Sequence, residues 1–208
     1  MGAEQTPAAD GSTGGLRDRA LLELAAARDA GIDGAADYLA VLRAEPGALW
    51  RDGGPRHLTA SAVVIDAPAE HVALVWHRKG RFWVQPGGHL EAADLSLEAA
   101  ARREVSEEIG LDDLERVGPG PAVLHRHALS AAFGSCREHW DVQHLFRAGA
   151  PAAELTLRPS DESPEVRWVP WPLLGTGPER SVAELPEGTV EDMPEKLAAI
   201  ARYLSTSS

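Results

Sequence analysis

Three glutamates in one short segment are the residues of this chain with the clearest capacity for chemistry. Glu104, Glu107 and Glu108 stand at positions i, i+3 and i+4, so on an α-helix their carboxylates project from a single face. Like charges at this spacing repel one another. A hard divalent cation such as Mg²⁺ or Mn²⁺ prefers oxygen ligands and would remove that repulsion by binding. The alternative is a solvated acidic face of a surface helix.

The residues around the three glutamates favour a bound cation over a solvated acidic face. Ser96 is suited to cap the start of a helix and Gly110 to end it, so the pattern predicts a helix between them. Ala101, Val105 and Ile109 form an apolar row directly beside the acidic row. The carboxylates are therefore expected next to a buried stripe of the helix, and not on the face opposite to it.

A glycine turn comes just before this helix. Residues 81–85 are typical of a short strand, and Pro86, Gly87 and Gly88 follow it directly. Backbone amides can approach a ligand closely at such a turn because glycine has no side chain. A strand, a glycine turn and an acidic helix together are the layout of a site, and we expect Gly87 and Gly88 to lie against the substrate.

Residues 88–111 closely resemble the Nudix box, the signature of the Nudix hydrolases, whose usual form is G-x5-E-x7-R-E-U-x-E-E-x-G-U with U a bulky aliphatic residue. The matching residues are Gly88, Asp94, Arg103, Glu104, Val105, Glu107, Glu108, Gly110 and Leu111. Asp94 replaces the first glutamate and lies one residue farther from Arg103 than usual. We interpret this as a variant loop in which a shorter side chain and an extra residue compensate each other. The resemblance covers roughly residues 58–174.

The resemblance implies an α/β fold, the Nudix-type α/β/α sandwich with a mixed β-sheet. It also implies that Glu104, Glu107 and Glu108 are ligands of Mg²⁺ or Mn²⁺, with Glu107 or Glu108 also a candidate general base. Arg103 would orient a carboxylate by a charge-assisted hydrogen bond. Gly87 and Gly88 would shape the turn that admits the helix and the substrate.

Nudix enzymes often use a further carboxylate outside the box, and it commonly lies in an acidic loop. Residues 158–164 form such a loop here, and Glu162 is our candidate, with Asp161 and Glu165 as alternatives. An ordinary solvated acid is an equally good interpretation of this position. On a predicted strand at 139–147, His139 and Asp141 share one face and are expected to contact the substrate or its phosphates.

The implied reaction is metal-dependent hydrolysis of a pyrophosphate bond, an acid anhydride of phosphorus. The substrate would be a nucleoside diphosphate linked to another moiety, or a nucleoside triphosphate. Divalent ions would neutralise the charge on the phosphate oxygens and lower the pKa of an attacking water. Three alternatives stay open: a regulatory domain that binds a nucleotide without cleaving it, an isopentenyl diphosphate isomerase, and a structural acidic domain. The isomerase is expected to need a catalytic cysteine, and Cys136 lies outside the expected setting.

Composition narrows the range of partners. Of the 208 residues, 20 are Lys or Arg and 32 are Asp or Glu, which gives a formal net charge of −12. This charge disfavours binding to nucleic acid or an anionic membrane, and a polyanionic substrate would need cations to bridge it to the carboxylates. Cys136 is the only cysteine, which excludes an intrachain disulfide. With no signal-like start and no long apolar run, we expect a cytoplasmic protein.

The remaining segments suggest two parts. Residues 1–56 are expected to hold a disordered start, up to Gly15, and a helical extension whose second helix Asp33 could cap. Residues 57–208 would form the Nudix hydrolase domain, ending in a helix that opens near Asp192. The helical extension could shield the sheet, build a homodimer interface or lend residues to the substrate pocket. Strands are predicted at 57–66, 71–77, 122–129 and 165–170, and a loop at 112–121.

The histidines suggest a zinc site, but their spacing does not support it. His125, His127, His139 and His144 fall on two predicted strands without helical or zinc-knuckle spacing. We therefore do not expect these four histidines to form a zinc site.

Overall fold

The computed structural model describes residues 12–128, 136–171 and 185–206. The helices are α1 (Ser12–Asp29), α2 (Ala35–Ala44), α3 (Leu97–Ile109) and α4 (Met193–Thr206). The strands are β1 (Arg56–Ile65), β2 (His71–His77), β3 (Phe82–Val84), β4 (Gly87–His89), β5 (Leu114–Arg116), β6 (Val123–Ala128), β7 (Glu138–Ala148) and β8 (Val166–Pro170). Single turns of 3₁₀ helix lie at Pro46–Leu49 and Ala152–Glu154.

The sheet is built around the parallel pair β1 and β7. Their register runs without a break from Arg56 opposite Glu138 to Ile65 opposite Arg147. β2 and β4 pair with β1, β5 and β6 pair with β7, and β3 and β8 pair with β2, all antiparallel. The sheet is therefore mixed, as predicted.

Side chains along β1 point alternately to the two faces of the sheet, and each face has its own hydrophobic core. Leu58, Ala60 and Val64 point to one face and pack with the apolar residues of α1, α2 and α3. Val63 and Ile65 point to the other face and pack with α4. Because both faces are covered by helices, β1 is buried along almost its whole length. This arrangement confirms the predicted α/β/α sandwich.

The N-terminal helices share a core with the rest of the fold. Leu16 and Leu24 of α1 and Leu39 of α2 pack in the same cluster as the buried residues of α3. The proposed division of the chain at residue 57 stays a prediction. The expected disorder of residues 1–11 concerns positions outside the described residues. α1 begins at Ser12, within the start up to Gly15 that was expected to be disordered.

Three local expectations were wrong. The segment expected to be only a glycine turn contains β4, because the backbone of Gly87–His89 pairs with β1. The loop predicted at 112–121 contains β5, because Leu114 is buried and its strand pairs with β7. Asp33 is not the cap of α2: Gly34 takes that position in a left-handed conformation, without a side-chain hydrogen bond.

In the described part of the chain, no helix combines the length and the apolar character needed to cross a membrane.

Asp66 ties three segments together just after β1. One carboxylate oxygen accepts hydrogen bonds from the amides of Glu70 and His71, at 2.8 and 2.9 Å. The other accepts from the Ala152 amide at 3.1 Å and lies 3.0 Å from His71 Nδ1. Burial alone would raise the pKa of Asp66, but these hydrogen bonds outweigh burial and hold the pKa below its usual value. The ionised carboxylate is therefore the form that stabilises the fold.

We expect Asp66→Asn to lower the free energy of unfolding by about 2 kcal/mol at neutral pH, since buried amides lose a charged acceptor. A depressed pKa stabilises the fold above the unfolded-state pKa of about 3.9, and this stabilisation is lost as the pH falls through the folded pKa. The difference between wild type and variant in urea unfolding should therefore shrink below about pH 4. Asp113→Asn, at an exposed position, is the matched control. Equal stability of the two variants at pH 7 would contradict this role.

Candidate active site

Helix α3 carries the acidic row, and its first turn is fixed from two directions. Ser96 caps it as predicted, because its hydroxyl accepts a hydrogen bond from the Ala99 amide at 2.9 Å. The carboxylate of Glu23, on α1, accepts from the amides of Leu97 and Glu98, both at 3.1 Å. Negative charge is favourable at a helix N-terminus. The N-terminal helices therefore position the helix that carries the site.

The buried face and the end of α3 set the direction of the acidic row. Ala101, Val105 and Ile109 are fully buried, as the sequence predicted. Gly110 ends the helix with a φ of 70°, a conformation that glycine adopts without strain. Arg158 donates a hydrogen bond to the Gly110 carbonyl at 3.1 Å, which fixes this end to the loop before β8.

Arg103 donates hydrogen bonds to three carboxylates at once. Its guanidinium makes a two-pronged contact with Asp94, at 3.0 and 3.1 Å. Its Nη1 donates to Glu104 at 2.9 Å and to Glu107 at 3.1 Å. Its Nη2 also donates to the carbonyl of His89 at 2.9 Å. Asp94, the departure from the usual box, lies in the loop before α3 and is thus the residue that holds the Arg103 side chain in place.

Glu108 is buried between the glycine strand and the loop before β8. One of its oxygens accepts a hydrogen bond from the Gly87 amide at 2.8 Å, and the other accepts from the Ser163 hydroxyl at 2.6 Å. Burial raises the pKa of Glu108, although these two hydrogen bonds act in the opposite direction. The carboxylate is held in one orientation by groups far away in the sequence.

Glu104 lies against Gly88. A Cβ atom at Gly88 would come within 2.6 Å of Glu104 Oε1, so the glycine leaves the space that this carboxylate occupies. Burial raises the pKa of Glu104 to about 7, despite the opposing charge of Arg103. The nearby carboxylates of Glu108 and Glu107 also raise it.

The three glutamates face one cavity of about 420 Å³. Its lining includes both glycines of β4, Arg103 and Glu162, and the basic residues Arg51 and Lys79. The donors are carboxylate oxygens, which suit Mg²⁺ or Mn²⁺ better than softer metals. Burial makes the charge of Glu104 and Glu108 costly in the absence of a cation, as their raised pKa values indicate. The residues present therefore fit a hard divalent ion.

A second, smaller cavity of about 110 Å³ adjoins the same glycines and is also lined by His139 and Asp141. Asp141 is buried and accepts hydrogen bonds from Thr59 at 2.9 Å and Ser61 at 2.7 Å. The amide groups of Gln143 and Gln85 also donate to it, at 2.9 and 3.3 Å. Its carboxylate thus holds the polar side chains that surround this cavity.

The structure distinguishes among the three acids proposed from the loop at 158–164. Glu162 lines the larger cavity together with the three glutamates of α3. Asp161 is exposed, and Glu165, just before β8, forms an ion pair with Arg167 at 3.4 Å. Neither Asp161 nor Glu165 is among the residues that line the cavity.

Several residues of the site were missed by sequence reasoning. Ser163 and Glu23 act on α3 from distant segments, and no local pattern marks either of them. Lys79 and Arg51 lie in turns, and both line the larger cavity. The available signal was the position of Lys79, in the turn directly before the strand that leads to the glycines.

Comparisons with known proteins bear on the family and the fold of the chain. The profile of a family described as NUDIX domain matches residues 55–187. A hydrolase of the NUDIX family from Clostridium perfringens has a similar structure, with 20% identity and a TM-score of 0.53 over 72% of this chain and 98% of that one. An Ap4A hydrolase from C. elegans has 15% identity and a TM-score of 0.47, covering 72% of this chain and 95% of its own. The MutT protein from Methanosarcina mazei Go1 has 19% identity and a TM-score of 0.46, covering 74% and 96%. No match was found among curated proteins.

We expect Gly88→Ala to weaken Mn²⁺ binding by about 10-fold or more, because the new methyl group displaces the carboxylate of Glu104. The stability change should stay below about 1 kcal/mol, since a flexible side-chain end can move away. Calorimetric titration with Mn²⁺ and a thermal melt measure the two quantities. Gly149→Ala is the control, because a Cβ there meets nothing within 4 Å. Equal Mn²⁺ affinity in the two variants would show that Gly88 does not place Glu104.

Proposed function

Because the chain belongs to the Nudix family, whose members are hydrolases of pyrophosphate bonds, we propose that it cleaves a nucleotide with the help of Mg²⁺ or Mn²⁺. The substrate is a nucleoside diphosphate linked to another moiety, or a nucleoside triphosphate. The observation that carries this proposal is the convergence of Glu104, Glu107 and Glu108 on one cavity beside two glycines.

In this proposal, the three glutamates hold the divalent ion, which when bound neutralises phosphate charge and lowers the pKa of the attacking water. Arg103 keeps Glu104 and Glu107 in place by direct hydrogen bonds. Glu108 already accepts a hydrogen bond at each of its oxygens. Glu107, whose side chain is 58% exposed, is therefore the better candidate to accept the proton of the attacking water. Glu162 lines the same cavity and is proposed to assist.

The basic residues of the cavity are suited to bind the negatively charged phosphates of a substrate. Lys79 and Arg51 line it together with the acids, and a guanidinium or ammonium group can bind phosphate oxygens directly. With a net charge of −12 on the whole chain, a polyanion approaches this site only where cations offset the repulsion. We propose that these two residues and the divalent ion together supply that offset.

We propose that the smaller cavity binds the part of the nucleotide other than its phosphates. His139, Gly87 and Gly88 line it. Asp141 is proposed to act there through Ser61 and Gln85, which it holds by hydrogen bonds. The phosphates would then lie in the larger cavity, since Gly87 and Gly88 border both spaces.

The test is a substrate panel with the full chain and either Mg²⁺ or Mn²⁺. Sugar nucleotides, ADP-ribose, dinucleoside polyphosphates and nucleoside triphosphates are incubated separately, and nucleoside monophosphate is measured by chromatography. Product that requires the divalent ion supports the proposal. Tight nucleotide binding without product over hours would favour a regulatory domain instead.

For the substrate found, we expect Glu107→Gln to lower kcat by about 100-fold or more, because the amide cannot accept the proton and binds cations poorly. The thermal melt without metal should be nearly unchanged, since this side chain is more than half exposed. Glu115→Gln, at an exposed position on β5, is the matched control and should keep wild-type turnover. Wild-type kcat in Glu107→Gln would remove Glu107 from the mechanism.

A further inference from the structure

A cluster of histidines and the single cysteine adjoins the carboxylate site, because His89 lines the larger cavity and His139 lines the smaller one. Cys136 Sγ is 3.4 Å from His57 Nε2. The ligand atoms of His57, Cys136 and His139 all lie within 4.8 Å of one another. The ring of His89 is centred 4.9 Å from that of His57 and 5.1 Å from that of His139. Three side chains that commonly bind transition metals thus converge, and the ring of His89 lies beside them.

Strand pairing brings these residues together. His57 on β1 and His139 on β7 are direct partners in the parallel register, so their side chains lie side by side on one face. His89 on β4 pairs with Thr59 of β1, two residues farther along that strand. Cys136 precedes β7, and the amides of Arg137 and Glu138 both donate to the carbonyl of Pro55. These hydrogen bonds hold the cysteine against the start of β1.

His57 and Cys136 are the buried members of the cluster, His89 and His139 are half-buried, and two ring nitrogens lack a hydrogen-bond partner. His57 is fully buried, and Cys136 is 5% exposed. The Nε2 atoms of His89 and His139 are buried and make no hydrogen bond with any part of the chain that the structure describes. Buried polar atoms are normally paired, so an orphaned pair of ring nitrogens needs an explanation.

The imidazoles are in the form that binds metals. Burial lowers the pKa of His89 to about 4 and that of His139 to about 3, and the neighbouring histidines lower both further. Both rings are therefore neutral at pH 7, with a lone pair available on one nitrogen. Burial raises the pKa of Cys136, so its thiol keeps its proton until a metal ion displaces that proton to solvent.

We propose that His57, Cys136 and His139 form a transition-metal site of the Zn²⁺ class, separate from the carboxylate cluster, with His89 placed to complete the set. Two ligands of a tetrahedral zinc ion, one nitrogen and one sulfur, lie about 3.5 Å apart. The 3.4 Å distance from Cys136 Sγ to His57 Nε2 already meets this value, and all three ligand atoms lie within 4.8 Å of one another. One thiolate and two or three imidazoles are a donor set typical of zinc and unfavourable for Mg²⁺.

The chemistry of the two sites allows them to be tested separately. The full-length protein is stripped with a chelator, dialysed into excess Mg²⁺ to occupy the carboxylates, and titrated with Zn²⁺ against a chromophoric chelator. We expect one equivalent of Zn²⁺ to bind. Cys136→Ser and His57→Gln should weaken this binding by about 10-fold or more, because each removes a ligand. Glu107→Gln and His125→Gln, which change a residue outside the trio, should bind Zn²⁺ like the wild type.

Cobalt provides a second measurement that does not depend on how the variants fold. Co²⁺ bound to the wild-type protein should show the near-ultraviolet charge-transfer band of a cysteine thiolate ligand, and addition of Zn²⁺ should abolish that band. Two results would overturn the proposal. The first is no Zn²⁺ uptake, or no thiolate band, in the wild-type protein; the second is equal Zn²⁺ affinity in Cys136→Ser. Failure of the substrate panel would leave this result unaffected, because metal uptake is measured without any nucleotide.

Discussion

The hydrogen bonding of Arg103 to three carboxylates is the interaction on which the site depends. Two glutamates next to each other on a half-buried helix face repel at close range, and burial strengthens that repulsion. The guanidinium offsets it, and at the same time connects Glu104 and Glu107 to Asp94 and to the carbonyl of His89. The variant loop keeps this connection, since a shorter aspartate one residue farther away still reaches Arg103 with both oxygens.

Helix α3 is supported at both ends by segments outside the signature. Glu23 accepts hydrogen bonds from its first amides, and the same carboxylate lies 3.6 Å from the buried ring of His144 on β7. Arg158 contacts its last turn. The N-terminal helices therefore do more than cover the sheet. Through Glu23, they also fix the position of α3 relative to β7. A shift of α3 would move all three glutamates together.

The paired strands β1 and β7 change character along their length. On the face that α4 covers at its far end, three polar pairs come first: His57 with His139, Thr59 with Asp141, and Ser61 with Gln143. Val63 with Leu145 follows, and then Ile65 with Arg147. Val63, Ile65 and Leu145 give α4 a core to pack on. The polar end, left outside that core, provides the smaller cavity and the histidine and cysteine cluster.

The sequence by itself determined what local spacing can encode. This includes the acidic row of α3, the cap at Ser96, the end at Gly110 and the long strands, because side-chain periodicity and cap chemistry act within a few residues. Tertiary structure decided the rest. β4 and β5 have three residues each, and they are strands only because β1 and β7 supply hydrogen-bond partners. The contacts of Ser163 with Glu108 and of Cys136 with His57 join residues 55 and 79 positions apart. Local propensity has no means to specify such distant pairs, since they form only when the sheet and helices have packed.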